Sequence, residues 1–316
     1  MPIRPLKLGT RQSPLAMVQA QEARRRLIAA HNLNESDIEL VSVTATGDRI
    51  QDRPLAEIGG KALWTKELDC QLLAGEIDFA VHSAKDVETI RPEEITIAAY
   101  LPREDVRDML IGAESIAALP PGARVGTTAP RRAAQLLKDG LDCTIVSFRG
   151  NVSTRLAKLA AGEADATFLA AAGLNRLGET GTGHPLPVEQ WLPAPGQGAI
   201  AIECRSADAD MRSMLAAIDD APTREAVMAE RALLAALGGN CHSPIAVFTR
   251  REGLDLHMRA SLLSPDGSER VDGEARFPAA DNAAPARLAQ ELLSRAAPAI
   301  VEHFSGLPAS QAQSAR

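Results

Sequence analysis

Aromatic residues are scarce: 316 residues include two Trp, one Tyr and six Phe. That is too few for a platform on which nucleic-acid bases stack. Basic residues are not in excess either. There are 34 Lys and Arg against 41 Asp and Glu, a net charge of −7, whereas a nucleic-acid binder needs a basic footprint. No apolar run of about 18 residues occurs, so no membrane span is expected. Met1-Pro2-Ile3-Arg4-Pro5-Leu6 lacks the apolar centre of an export signal, and cytoplasmic residence is the default expectation. Cysteines stand only at positions 70, 143, 204 and 241, never as C-x-x-C, which argues against a zinc knuckle or thioredoxin motif. In the cytosol they are expected to be free thiols, and no metal site is expected.

The balance of 45% apolar and 24% charged residues is that of an ordinary soluble protein. At roughly 100 to 200 residues per domain, two or three domains are expected. Strand-like stretches at Leu6 to Leu8, Ile38 to Val43, Ile77 to Val81, Ile95 to Ala99, Asp108 to Ile111, Thr144 to Phe148, Ala166 to Ala170 and Ala199 to Glu203 alternate with helical patterns. This predicts an α/β fold with largely parallel sheets. The last third differs. Asp219-Asp220-Ala221-Pro222 starts a helix and Gly238-Gly239 stops it. Alternation from Leu254 to Leu262, a Pro265-Asp266-Gly267 turn and a strand to about Phe277 follow. A closing helix through Leu288, Leu292, Ala296 and Ile300 is expected to kink at Pro298. Together these predict a small α+β domain. The polar tail from Pro308 to Arg316 is expected to be disordered.

One pattern occurs twice. Leu8-Gly9-Thr10-Arg11-Gln12-Ser13-Pro14 and Val125-Gly126-Thr127-Thr128-Ala129-Pro130-Arg131 both run from a strand into a helix. Glycine is expected to allow a tight turn there, and Pro suits the first helical turn. Free backbone N–H groups and the positive dipole end then meet at one spot, which binds anions. Two ordinary capped helices would give the same pattern.

Between Pro121 and Ala160 there are seven Lys or Arg and two Asp, a balance of +5 in a chain of −7. Arg131, Arg132 and Arg149 fall at predicted strand–helix junctions, where α/β proteins place ligand sites and where a guanidinium can fork onto a carboxylate. Lys138 and Lys158 read as a solvated helix face. In Val81-His82-Ser83-Ala84-Lys85-Asp86-Val87, Asp86 is either a carboxylate held ionised by a neighbouring cation or half of a surface ion pair. His82 reads as a buried, hydrogen-bonded histidine. Gly59-Gly60-Lys61-Ala62-Leu63-Trp64 lacks the spacing of a phosphate loop and is read as a flap or a connector. Cys241, in Gly238-Gly239-Asn240-Cys241-His242-Ser243-Pro244, lies in an exposed loop where a thiol is reachable. Cys70, Cys143 and Cys204 are read as small core residues.

Taken in order, several segments resemble the porphobilinogen deaminase family. They are Thr10 to Ala16, Gly59-Gly60-Lys61, Ala80 to Val87, Arg131-Arg132, Arg149 to Val152, Thr154-Arg155-Leu156, Ala172 to Gly178, Pro195 to Ala199 and the loop cysteine. The resemblance spans nearly everything from Leu6 to about Phe304. It implies two similar α/β domains, like the halves of type II periplasmic binding proteins, around a cleft. A small α+β domain with a three-stranded antiparallel sheet would follow. The implied boundaries are 1–99 with 199–217, then 104–193, then 219–305, with a tail at 306–316.

The implied reaction joins four porphobilinogen molecules head to tail with loss of ammonia, giving hydroxymethylbilane. The implied cofactor is a dipyrromethane held on Cys241 by a thioether, the only partner is the small-molecule substrate, and the protein is a monomer. Catalysis would fall to Asp86, Lys85 and Arg11. Lys85, Asp86, Thr127, Thr128, Arg131, Arg132, Arg149 and Gly150 would hold the cofactor. Arg11, Ser13, Arg149, Arg155, Arg176 and Gln197 would hold substrate carboxylates, and Gly59, Gly60, Lys61 and Trp64 would form the flap.

This sequence departs from the family at Ala129-Pro130, where Ser-Leu is common, so no cofactor contact is carried onto those two. Trp64 replaces a common Phe, and Asn240 replaces a Gly, with the loop expected to keep its shape because Asn tolerates the left-handed region. A non-catalytic anion-binding module would fit a two-domain cleft but not the third domain and its cysteine. A thiol redox or metal enzyme lacks a second nearby cysteine.

Overall fold

The computed structural model describes residues 4–44, 65–138, 140–240 and 243–304. Cys241, Gly59, Gly60, Lys61, Trp64 and the tail therefore lie outside the described residues. The chain divides into two compact units. One comprises Met1–Asp105, Ala172–Glu179 and Gly198–Arg224, and the other Val106–Ala171, Thr180–Gln197 and Glu225–Arg316. The expected boundaries differ from this division at 172–179, which groups with the first unit, and at 225–316, which groups with the second.

In the first unit, β1 (Leu6–Arg11), β2 (Ile38–Val43), β3 (Phe79–Ser83), β4 (Ile95–Leu101) and β10 (Ile200–Arg205) form one sheet in the order β2-β1-β3-β10-β4. β1 is parallel to β2 and β3, and β10 is antiparallel to β3 and β4. In the second unit, β5 (Asp108–Ile111), β6 (Ala123–Gly126), β7 (Cys143–Val146), β8 (Ala166–Ala170) and β9 (His184–Pro185) are ordered β7-β6-β8-β5-β9. Again a parallel triplet is followed by antiparallel strands. Both sheets are thus mixed rather than largely parallel, and they share one pattern. β11 (Ile245–Glu252), β12 (Asp255–Leu263) and β13 (Arg270–Pro278) form the three-stranded antiparallel sheet.

Helices α1 (Pro14–His31), α2 (Lys66–Leu73), α3 (Pro130–Leu137), α4 (Val152–Ala160), α5 (Ala171–Leu177), α6 (Ala209–Ala216) and α7 (Ala221–Ala236) accompany these strands. The chain then closes through α8 (Ala284–Arg295) and α9 (Pro298–Val301). The expected kink is a break. Ala296 and Ala297 are extended, as residues before proline prefer, and Pro298 opens a new helix rather than bending the old one. No helix among the described residues is long and apolar enough to cross a membrane.

Each sheet has its own apolar core. Leu8, Leu27, Phe79, Leu101 and Ile202 lie in one, Leu110, Val125, Phe168 and Trp191 in a second, and Leu233, Val247, Met258, Leu262 and Leu292 in the third. The twin glycines, Gly9 and Gly126, do not make tight turns. Both lie within strands, and a Cβ on either would come within 2.4 Å of Ile77 or Phe148. They are glycine because the core presses on the strand there. Asn240 likewise does not use the left-handed region, since Asn32 is the one non-glycine residue with positive φ among those described.

Candidate functional site

In each unit the expected site residues collect where parallel strands end, the place where α/β sheets bind ligands. In the first unit β1 ends at Arg11. Its neighbour β3 ends at Ser83 and continues into a 3₁₀ turn, Ala84–Asp86. Asp86 therefore sits in a turn beyond the strand rather than at its end. The cation that faces it is Arg11, whose Nη1 lies 3.8 Å from Asp86 Oδ2, with both side chains partly exposed. Ser13 caps α1, its hydroxyl accepting the Ala16 N–H at 3.3 Å.

Arg176 is turned inward. Its Nη2 donates to Gly198 O at 3.0 Å and its Nε lies 3.6 Å from Glu22. Burial pulls its pKa down, opposed by Glu22. His82, on β3, is buried, and its pKa is pushed down to about 4 by burial and by Arg91.

The second unit shows an organising residue that sequence reasoning missed. Asp108, fully buried at the start of β5, accepts Arg132 Nη2 at 2.7 Å and Gln197 Nε2 at 2.9 Å on Oδ1. On Oδ2 it accepts Arg131 Nη2 and Trp191 Nε1, both at 2.8 Å. Burial alone would raise its pKa, but the two guanidiniums hold the carboxyl well below the usual carboxylate range. Arg131 also donates to Leu192 O at 2.8 Å and Arg132 to Phe168 O at 3.0 Å. Gln197 also donates to Val106 O at 2.7 Å. Arg131, Arg132 and Gln197 are therefore tied into the fold rather than held out toward solvent. The signal for Asp108 was an acid opening an apolar strand, Asp108-Met109-Leu110-Ile111.

One donor of this set has nothing to bind. Arg132 Nε is buried without a hydrogen-bond partner among the described residues. An unsatisfied N–H on a charged group is costly, and a ligand carboxylate would satisfy it. The residues present therefore fit a cofactor that carries acidic side chains.

Nearby, Thr127 donates its N–H to Val146 O and accepts the Ala129 N–H at 3.1 Å. Thr128 Oγ1 donates to Phe148 O at 3.4 Å. Ala129 starts α3 without a side-chain cap. Arg149 is buried at the carboxyl end of the β7 segment. Gly150 has φ +117°, and a Cβ there would lie 2.6 Å from Thr154. Asn151 caps α4, accepting the Thr154 N–H at 2.9 Å, and Arg155 Nε donates to Gly150 O at 3.1 Å. The glycine thus lets one turn cap a helix and orient an arginine together.

Among the other cysteines, Cys204 is buried and its thiol is pushed up to about 11 by burial. Burial also raises Cys143. Cys70 is exposed, contrary to the core role expected of it, because α2 turns that face outward. No group of His, Cys, Asp and Glu among the described residues is arranged to hold a metal ion.

Residues 6–213 match the family model described as "Porphobilinogen deaminase, dipyromethane cofactor binding domain", and residues 224–294 match "Porphobilinogen deaminase, C-terminal domain". The chain is 54% identical over 311 residues to the porphobilinogen deaminase of Sphingopyxis alaskensis, covering 96% of this chain and 98% of the relative. It is 51% identical over 300 residues to that of Paracoccus denitrificans, covering 93% and 96%. It is 49% identical over 270 residues to the chloroplastic protein of Oryza sativa subsp. japonica, covering 83% and 75%. Among solved structures, the VFT2 domain of BvgS from Bordetella pertussis is similar at a TM-score of 0.42 and 18% identity, covering 68% of this chain and 86% of that one.

Proposed function

The chain belongs to the porphobilinogen deaminase family, and on that premise we propose how its residues divide the work. The enzyme is a transferase of tetrapyrrole biosynthesis. It joins four porphobilinogen molecules head to tail, releases ammonia at each addition, and yields hydroxymethylbilane by a final reaction with water. When bound, the dipyrromethane on Cys241 supplies the priming pyrrole from which the chain grows.

With the pyrroles bound, the Asp86 carboxylate would stabilise the positive charge that develops on a pyrrole nitrogen as ammonia leaves and would move protons. Arg11, 3.8 Å from Asp86, orients its carboxylate, and Lys85 on the same turn binds a pyrrole carboxylate. Arg132, through its partnerless Nε–H, takes a carboxylate of the cofactor. Arg131 and Gln197, fastened to Asp108, fix Arg132 in place. Arg149 and Arg155 hold further carboxylates beside Gly150, with Thr127 and Thr128 shaping the turn. Ser13 caps α1, and Arg176 serves chiefly to pack α5. The flap role of Gly59, Gly60, Lys61 and Trp64 rests on the family resemblance alone. Three domains at the boundaries expected from the sequence are proposed beside the division into two compact units, supported by the separate apolar core at each sheet, and the enzyme acts as a cytoplasmic monomer on porphobilinogen alone.

The observation that carries this reading is the buried Arg132 Nε donor, which has no hydrogen-bond partner among the described residues. Intact-protein mass tests it: the purified chain should carry two pyrrole units, lost in Cys241→Ser and retained in Cys70→Ala, Cys143→Ala and Cys204→Ala. An unmodified wild-type chain refutes the reading. On loaded protein, Asp86→Asn should lower kcat about 100- to 1000-fold, the scale of one lost electrostatic contact at developing charge.

A further inference from the structure

Arg91 lies on the loop that leaves the Lys85–Asp86 turn, and its buried guanidinium binds three carboxylates. Nε donates to Glu203 Oε1 at 2.8 Å and Nη2 to Glu203 Oε2 at 3.0 Å. Nη2 also donates to Asp69 at 2.6 Å, and Nη1 donates to Glu88 at 2.5 Å. Thr65 Oγ1 donates to Glu88 at 2.9 Å. His82 Nε2 stands 3.3 Å from Glu203 Oε2.

The geometry decides what this cluster holds. The turn's entry is fixed by sheet pairing, with Ser83 opposite Ile200 and Ala80 opposite Glu203. Its exit has no such ladder, and β4 resumes only at Ile95. Between Asp86 and Ile95 lie Glu88, two residues past Asp86, and Arg91, three further on. The fork onto Glu203 fastens this exit to the sheet strand β10, and Asp69 fastens it to α2. Three carboxylates on one guanidinium are a poor way to gain stability, because a well-packed apolar cluster commonly does as well or better. What such a fork does supply is a fixed direction.

We propose that Arg91 is a positioning residue for the reaction: through Glu203, Glu88 and Asp69 it fixes the exit of the Lys85–Asp86 turn and so the direction of the Asp86 carboxylate. The inference rests on the role given above to Asp86. Displacing such a group by about 1 Å can cost on the order of 100-fold in rate.

The test uses full-length protein confirmed by mass to carry its cofactor, with wild type, Arg91→Lys, Arg91→Leu, Glu88→Gln and Asp86→Asn measured side by side. Arg91→Leu removes the cation shared by three carboxylates and is the variant most at risk of misfolding, so Arg91→Lys and Glu88→Gln are the deciding pair. Both keep polar contacts but lose the fork or one of its anchors. Each should lower kcat about 10- to 100-fold with KM within about threefold of wild type, and Arg91→Lys should recover part of what Arg91→Leu loses. If both retain kcat within about twofold while Asp86→Asn is inactive, Arg91 is structural and the inference falls alone. If Asp86→Asn itself keeps normal turnover, the reading of Asp86 and the inference fall together.

Discussion

Asp108→Asn is the sharpest perturbation of the second unit. Asparagine keeps the shape of the side chain but replaces one oxygen with an NH₂. Each carboxylate oxygen of Asp108 accepts one guanidinium N–H and one neutral N–H, at 2.7 to 2.9 Å. Whichever way the amide settles, one guanidinium and one neutral donor meet another donor, and both arginines lose their counter-charge while buried. Breaking a buried ion pair costs about 3 to 5 kcal/mol, and lost hydrogen bonds to charged groups cost about 1.5 to 3 kcal/mol each. The two routes agree on a loss near 4 kcal/mol. At about 2 to 4 °C per kcal/mol, melting should fall by roughly 10 °C.

The sign of the pH dependence follows from the depressed carboxyl. The stability contributed by Asp108 is complete above the ordinary carboxylate range and is lost as pH falls through it toward the lower folded value. The gap between wild type and variant should thus be constant above about pH 5 and narrow below it, with a slope approaching about 1.4 kcal/mol per pH unit near pH 3. Urea melts between pH 7 and pH 3 measure both quantities. Intact mass of the same samples should show reduced dipyrromethane, because Arg132 is no longer aimed. Melting within about 2 °C of wild type at pH 7 would rule out Asp108 as the anchor of the two arginines.

For His82, NMR titration should place the ring near 4 rather than 6.5. Because the folded value lies below the unfolded one, the stability tied to neutral His82 should be complete above about pH 6.5 and drain away as pH falls toward 4, and a resonance titrating near 6.5 contradicts its burial. Gly150→Ala must place a methyl 2.6 Å from Thr154 at φ +117°, so stability should drop by about 1 to 3 kcal/mol in urea titrations. An unchanged midpoint would show that the turn carries no strain.

The alternation of strands and helices, the antiparallel sheet of the last third and the repeated strand-to-helix pattern were legible because periodicity, turn residues and capping signals are local. The doubled segment led to the carboxyl ends of two parallel strands, which is where the structure puts Arg11 and Thr127. What was not legible is pairing across distance. Asp108 is 23 residues from Arg131 and 89 from Gln197, and nothing in its neighbours marks it as their common acceptor. The twin glycines were misread for a related reason. A glycine in a strand and a glycine in a turn look alike until Ile77 and Phe148 are seen pressing on them. Cys70 was misplaced because a short amphipathic helix does not reveal which of its borderline positions faces out.

The two sheets answer one problem differently. In the shared pattern the fourth strand is β10 in one unit and β5 in the other, and each carries a fully buried carboxylate that grips arginine, Glu203 and Asp108. Asp108 pairs with Ala170, the last residue of β8, so it sits at the ligand end of its parallel strands. From there it holds Arg131 and Arg132 directly. Glu203 pairs with Ala80, three residues short of the end of β3 at Ser83. At about 3.3 Å per residue, that is roughly 10 Å from the ligand end. A carboxylate so deep cannot reach the turn that bears Lys85 and Asp86, and a long side chain must bridge the gap from the loop. Arg91 is that side chain. Shortening it to lysine should therefore harm the first unit through the direction of its turn, whereas neutralising Asp108 should harm the second through its stability.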